Sequence, residues 1–404
     1  MKYVDEFRDG ALAQRIAARL KAEVDPARRY SFMEFCGGHT HALARYGVVD
    51  LLPANVRMIH GPGCPVCVLP IGRIDMAIRL ALDHGVTLCT YGDVMRVPAS
   101  AAAGPPQGGL HPLGGREPQA SRGQHEGLSL LRAKARGADI RMVYSPADAL
   151  ALARERPDRE VVFLAIGFET TTPPTALVIL QAAREGLKNF SVICCHVLTP
   201  SAITHILESP EVRQYGTLPL DGFVGPAHVS IIIGSAPYEP FARAYRKPVV
   251  IAGFEPLDVM QAIAMLVRQV NEGRACVENE FSRAVTREGN AAAQAVMAQV
   301  FEVRDSFEWR GLGEVPSSAL KIRPELEAFD AEQRFDLAYR SVPDHKQCEC
   351  GAILRGVKRP TDCKLFGTVC TPENPMGSCM VSSEGSCAAH YTYGRFRDIP
   401  VVAA

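Results

Sequence analysis

Two cysteines three residues apart, Cys64 and Cys67 in HGPGCPVCV, can pair reversibly or bind one metal together. They follow an apolar run, VRMIH, and precede a helical pattern, IGRIDMAIRLAL. A thiol near a helix N-terminus has its thiolate favoured by the local field. The Gly-Pro-Gly approach and the inserted proline predict an exposed, rigid turn. Half of a structural zinc site is the plainer alternative. A second group is Cys36-Gly-Gly-His39-Thr-His41. Two glycines allow close approach of backbone or ligand. Cysteine and histidine bind iron or zinc, and histidine moves protons near neutral pH. Cys36 is the candidate ligand here, with His39 and His41 beside it as ligands or supports.

The third group is the tail: Cys348 and Cys350, then Cys363, Cys370, Cys379 and Cys387 at intervals of 7, 9 and 8. Thiolate-only ligation suits zinc or an iron–sulfur cluster. Zinc modules usually carry two close pairs, so the wide spacing of the last four favours a cluster. Cys348 and Cys350 are then left as a pair for thiol–disulfide exchange. Cys194-Cys195-His196 falls inside a predicted buried strand, where neighbours point to opposite faces. His228, after a Gly-Pro break, is read either as lining a crevice or as a structural histidine. Cys89 and Cys276 read as small buried hydrophobes.

The elements that must position these groups follow a rhythm from residue 56 onward. The apolar runs VRMIH, VTLCTY, IRMVYS, VVFLAI, FSVICCHVL, FVGPAHVSIII and PVVIA each end in Gly or Pro, or at Thr199-Pro200. Helical patterns alternate with them. Such alternation predicts an α/β protein with mainly parallel sheets. VVFLAIGFE and VVIAGFE echo each other, which puts Glu169 and Glu255 at strand ends, where ligands sit in such folds. A helix-start carboxylate is the alternative for each. Residues 5–23 have helical spacing, and so do the stretches after 257. Residues 99–127 are Gly/Pro-rich without period and read as a surface insertion. The tail from 341 lacks the apolar pattern to build its own core, so a metal cluster is expected to hold it.

Composition narrows the class. The 404 residues exceed one ordinary domain, and apolar residues make up 47%. Lys and Arg number 44 against 44 acidic residues, so no basic field marks a nucleic-acid or anionic membrane partner. The opening MKYVDEFRDG has no apolar stretch of signal-peptide length, and no run approaches the roughly 20 residues of a membrane helix. A soluble cytoplasmic protein is expected. In a reducing compartment, thirteen cysteines point to metal or catalysis rather than disulfides. No GxxxxGK[ST], HExxH or CxxxCxxC motif is present.

Taken together, FMEFCGGHTHAL, IHGPGCPVCVLP, YGDVMRVP, AKARGADIRMVYSPADAL, EVVFLAIGFETTTP, GFVGPAHVSIIIG, PVVIAGFEPLDVMQAI and the cysteine tail resemble the HypD family, in order and across nearly the whole chain. The resemblance implies two Rossmann-like parallel-sheet α/β domains, at 45–140 and 141–256. It also implies a mostly helical or irregular iron–sulfur domain built from 1–44 and 257–404. It implies an assembly scaffold rather than a turnover enzyme. With HypC, such a scaffold builds the Fe(CN)2CO unit of nickel–iron hydrogenase. Cyanide comes from HypE, and the product passes to the hydrogenase large-subunit precursor. By the same resemblance Cys36 is an iron ligand shared with HypC. Cys64 and Cys67 are a nearby redox pair or further iron contacts. Cys363, Cys370, Cys379 and Cys387 hold a 4Fe–4S cluster, and Cys348 and Cys350 relay its electrons. The stretch between Val97-Pro98 and LLRAKARG is longer than the family pattern. A stand-alone cluster-dependent thiol–disulfide oxidoreductase and a structural zinc-bound module are the competing readings.

Overall fold

A computed structural model describes residues 5–100, 128–208 and 220–394. All but the first two residues of the 99–127 insertion lie outside the described residues. The chain is mixed α/β with two sheets whose pairings are all parallel. The strands are β1 (Tyr30–Glu34), β2 (Val56–His60), β3 (Thr87–Thr90), β4 (Ile140–Met142) and β5 (Val161–Gly167). They continue as β6 (Phe190–His196), β7 (Gly222–Gly225), β8 (Val249–Ile251) and β9 (Val277–Asn279). One sheet runs β2-β1-β7-β8-β9 and the other β4-β3-β5-β6. β5 and β6 are buried at every position, which is why VVFLAIG reads as a continuous apolar run: both faces of a parallel sheet are covered. This is the architecture of two Rossmann-like units.

Sheet membership does not follow the expected division at residue 140. β7, from the stretch assigned to a second domain, pairs with β1 on one side and with β8 on the other. β3, from the first, pairs with β5. β1, which lies in the 1–44 segment assigned to the cluster domain, is an interior strand of a sheet. Which edge a strand joins depends on how each crossover packs back on its sheet, and linear order does not encode that. The run FVGPAHVSIII also divides, into β7 and the helix Ala227–Ile233. Pro226 between them has no N–H for a ladder, and its fixed φ suits a helix start.

The helices expected at both ends of the chain are present as Gly10–Glu23, Pro256–Asn271 and Ala291–Val300. Two antiparallel pairs were not foreseen: Phe301–Val303 with Leu320–Ile322, and Ser306–Trp309 with Gly313–Pro316. A buried charge cluster ties this region to the first half. Glu332 pairs with Arg73 at 2.7 Å and accepts from Arg304 at 2.5 Å. The described part of the tail forms short helices, among them Cys350–Leu354 and Ser386–Tyr393, joined by turns. Its buried side chains, including Ile353, Leu354, Met380 and Val381, join the same apolar core as Val66 and Leu69. The tail therefore borrows a core as well as carrying thiols.

Candidate functional site

The site gathers at the carboxyl ends of the β2-β1-β7-β8-β9 sheet. β1 ends at Glu34 and leads into Cys36, which begins the helix Gly37–Arg45. Its neighbour β2 ends at His60 and leads through Gly61 and Gly63 to Cys64. The two loops are joined backbone to backbone: Gly37 N–H donates to the Gly63 carbonyl at 2.9 Å and Gly61 N–H to the Glu34 carbonyl at 3.0 Å. A side chain at Gly63 would place its Cβ 2.7 Å from the Cys36 Cα. Parallel neighbours in register thus set two distant cysteine motifs side by side.

Cys36 is half-buried and sits among carboxylates. Its N–H donates to Glu34 Oε2 at 2.9 Å. Glu34 is fully buried, and its other oxygen accepts from the Thr40 hydroxyl and lies 2.9 Å from His60 Nδ1. Burial pushes the Cys36 thiol up, Glu384 and Glu34 add to this, and the N–H groups of Gly38 and His39 oppose it. A thiol ringed by carboxylates favours a bound cation over a free thiolate.

Cys64 and Cys67 form a disulfide. The expected exposed turn is instead buried, at 3% and 0% exposure. The tail covers it: Ser378 Oγ donates to the Cys67 carbonyl at 2.7 Å, and Cys67 Sγ lies 3.8 Å from the Ser378 carbonyl. Ser378 precedes Cys379, so the disulfide stands between the Cys36 loop and the tail cysteines.

In the tail, Cys348, Cys350, Cys363, Cys370 and Cys387 line one small cavity of about 10 Å³, walled by Ile353, Leu365, Phe366 and Met380. Cys379 is buried, and its sulfur is in hydrogen-bond contact with Cys350. Cys348 and Cys350 are therefore not separate from the other four, as the spacing suggested. The turn of Gly377 brings them in: a Cβ there would lie 2.5 Å from Cys350 Sγ and nearer still to Cys348 Sγ. The Cys350 hydrogen bond holds the Cys348 thiol down to about 7, while Cys350 is itself pushed well up by Cys348 and Cys379. Burial raises Cys370, and Cys387 is raised first by its contact with Cys350 and then by burial. Among the described residues no three His, Cys, Asp or Glu side chains stand ready-arranged around a metal ion. The donor chemistry nevertheless fits an iron–sulfur cluster: six buried or half-buried thiols about an apolar cavity, and no carboxylate lining it.

The remaining candidates fall elsewhere. His39 is buried, with Nε2 3.0 Å from the carbonyls of both Ala252 and Gly253, so its ring tethers the Cys36 helix to the end of β8. His41 packs edge-on to Tyr393, 5.2 Å between ring centres. His228 is exposed at the carboxyl end of the same sheet and lies 4.2 Å from the Phe254 ring. Cys194 and Cys195 are buried in β6, their thiols pushed up to about 12 and about 11 by burial. They are not brought to the site. Cys89 is buried as expected, but Cys276 is exposed, its sulfur 3.2 Å from Gln269 Oε1. Glu255 caps the helix Pro256–Asn271 and pairs with Arg8 at 2.5 Å. Glu169 is buried and accepts from the Thr199 N–H at 2.9 Å. Sequence reasoning missed Glu34, His60 and Glu384. Glu34 had a signal, a carboxylate inside the apolar run SFMEF two residues before Cys36. Glu384 had none, because only the fold carries it to Gly37.

The fold and site define a thiol-rich α/β protein with three cysteine groups gathered at the carboxyl end of one sheet. The family model HypD, described as "Hydrogenase formation hypA family", matches residues 11–105 and 120–394. The chain belongs to the HypD family of hydrogenase maturation factors. It is 72% identical over 404 residues to hydrogenase maturation factor HypD of Cupriavidus necator, covering 100% of both chains. Over 398 residues it is 64% identical to HypD of Rhizobium leguminosarum bv. viciae, covering 98% of this chain and 97% of that one. HypD of Escherichia coli is 43% identical over 398 residues, covering 97% of this chain and 98% of that one. Among the described residues no helix is long and apolar enough to cross a membrane.

Proposed function

We propose that this chain is a scaffold which, together with HypC, assembles the Fe(CN)2CO unit of a nickel–iron hydrogenase. HypE supplies the cyanide, and the hydrogenase large-subunit precursor receives the unit. The observation that carries this reading is the order of the three groups: the half-buried Cys36, the buried Cys64–Cys67 disulfide beside it, and the tail cysteines beyond Ser378. Iron is the substrate, held by Cys36, and Glu34 and Glu384 supply negative charge around it. Cys363, Cys370, Cys379 and Cys387 would hold a 4Fe–4S cluster, whose chemistry is one-electron transfer. Cys348 and Cys350 would pass those electrons on. Two electrons and two protons convert the Cys64–Cys67 disulfide to two thiols, which leaves both sulfurs able to bind iron beside Cys36. Thr40 and His60 fix the Glu34 carboxylate beneath Cys36. Free thiols of this number support a cytoplasmic location.

The test is anaerobic purification with iron, sulfide and zinc analysis, followed by maturation of a hydrogenase in cells lacking the endogenous factor. About four irons and four sulfides per chain, lost in Cys363→Ala, are expected. Cys36→Ala is expected to keep those irons and abolish maturation. Zinc without sulfide would replace this reading by a structural zinc-bound module, and full maturation by Cys36→Ala would remove its central residue.

A further inference from the structure

A guanidinium lies buried where residue 310 meets the cysteine tail. Only 3% of the Arg310 side chain is exposed. Nε pairs with Asp344 at 2.5 Å, and NH1 has no hydrogen-bond partner. A buried cation with an unused N–H is costly unless negative charge faces it.

The backbone fixes where Arg310 stands. Its N–H donates to the Val68 carbonyl at 2.7 Å, at the end of the CPVC helix. The next residue, Gly311, is packed so tightly on the residue after Cys350 that a Cβ would come 2.8 Å from the Gly351 Cα. Gly311 has φ +83°, and its carbonyl accepts from Arg355. Arg310 is thereby held between the disulfide helix and the tail thiols. From there its positive charge acts on Cys348, Cys350 and Cys379.

We propose that Arg310 is the buried counter-ion that sets the redox balance of the tail sulfurs, with Asp344 as its opposing charge. The proposal rests on the reading of the tail as a redox centre. Reduction adds negative charge there, whether to a cluster or by turning a disulfide into thiolates. A fixed positive charge favours the reduced form in either case, and Asp344 offsets part of it. Arg310 is thus a positioning residue: it binds no substrate and acts through the sulfurs.

The experiment uses the full-length chain purified anaerobically, with Arg310→Gln, Arg310→Lys and Asp344→Asn. Where iron and sulfide are present, the reduction midpoint is read from the visible absorption. In chain stripped of iron, the oxidised fraction of the Cys348/Cys350 peptide is read by alkylation and mass in glutathione buffers. Arg310→Gln is expected to shift the oxidised-to-reduced ratio at fixed potential about tenfold toward oxidised, a fall of about 59 mV for a one-electron couple. Arg310→Lys is expected to restore most of it, and Asp344→Asn to shift the ratio the other way. A merely structural ion pair predicts loss of stability in both Gln and Asn variants with no opposed shifts. Equal midpoints in all four proteins would overturn the proposal, as would a shift of the same sign in Asp344→Asn and Arg310→Gln. If Arg310→Gln fails to fold, Arg310→Lys and Asp344→Asn decide alone: an Asp344→Asn midpoint equal to or below that of the unaltered chain overturns it. Absence of sulfide in the unaltered chain would instead sink the cluster reading, and the stripped-chain measurement would still decide the role of Arg310.

Discussion

Replacing Gly63 by Ala is the sharpest test of how the Cys36 and Cys64 loops are joined. The added Cβ would lie 2.6 Å from the Phe35 carbonyl carbon, 2.7 Å from the Cys36 Cα, and closer still to the Cys36 nitrogen. These are backbone atoms, so no side chain can turn aside. Ordinary contact between carbons needs about 3.5 Å, so the loops must part by roughly 1 Å. Overpacking of this kind costs about 1–3 kcal/mol. Parting the loops also stretches the 2.9 Å bond from Gly37 to Gly63, which adds about 1 kcal/mol. The total is roughly 2–4 kcal/mol, together with a misplaced Cys36, for which a 1 Å error can cost about a hundredfold in activity. The chain has one tryptophan, Trp309, which is 1% exposed and reports unfolding by its fluorescence. Gly63→Ala is expected to unfold at lower denaturant and to mature hydrogenase at least tenfold less well at a temperature where it is folded. Gly10→Ala, with nothing within 4 Å of the new methyl, is the control. An unchanged midpoint with full maturation would refute both the tight joint and the importance of the pairing.

Three further outcomes are expected. Gly377→Ala should leave the fold intact but reduce retained iron and sulfide, because its Cβ enters the space of Cys348 and Cys350; unchanged iron per chain would count against a shared cavity. Glu332→Ala should cost about 3–5 kcal/mol in a denaturation series, since it leaves Arg73 and Arg304 with a buried charge and no carboxylate; a loss below about 1 kcal/mol would show that water reaches them. Burial raises the Glu169 carboxyl to about 7 from an ordinary 4.5, so its proton is bound more tightly in the folded chain. Its contribution is present below pH 4.5 and is lost as pH rises through about 7, in total about 3 kcal/mol at roughly 1.4 kcal/mol per unit. Denaturation midpoints at pH 5 and pH 8 should therefore differ less in Glu169→Gln than in the unaltered chain, and equal differences would remove the buried acid.

By itself the sequence determined the class of fold, because strands covered on both faces must read as unbroken apolar runs, and VVFLAIG and FSVICCH do. It also marked every cysteine of the site, since thiols set among Gly, Pro and Ser are poor core residues. It could not say which strands share a sheet, because β7 reaches β1 across nearly two hundred residues and only packing chooses that edge. It divided the six tail cysteines into four and two by spacing alone, whereas the turn at Gly377 folds the pair back onto the others. It read CPVC as an exposed turn because local Gly and Pro say nothing of what lands on top, and what lands there is Ser378, from the far end of the chain. Glu384 and Arg310 stayed invisible for the same reason. A charged residue in a polar stretch reads as solvated, and only the tertiary structure takes it out of water and sets it against a sulfur.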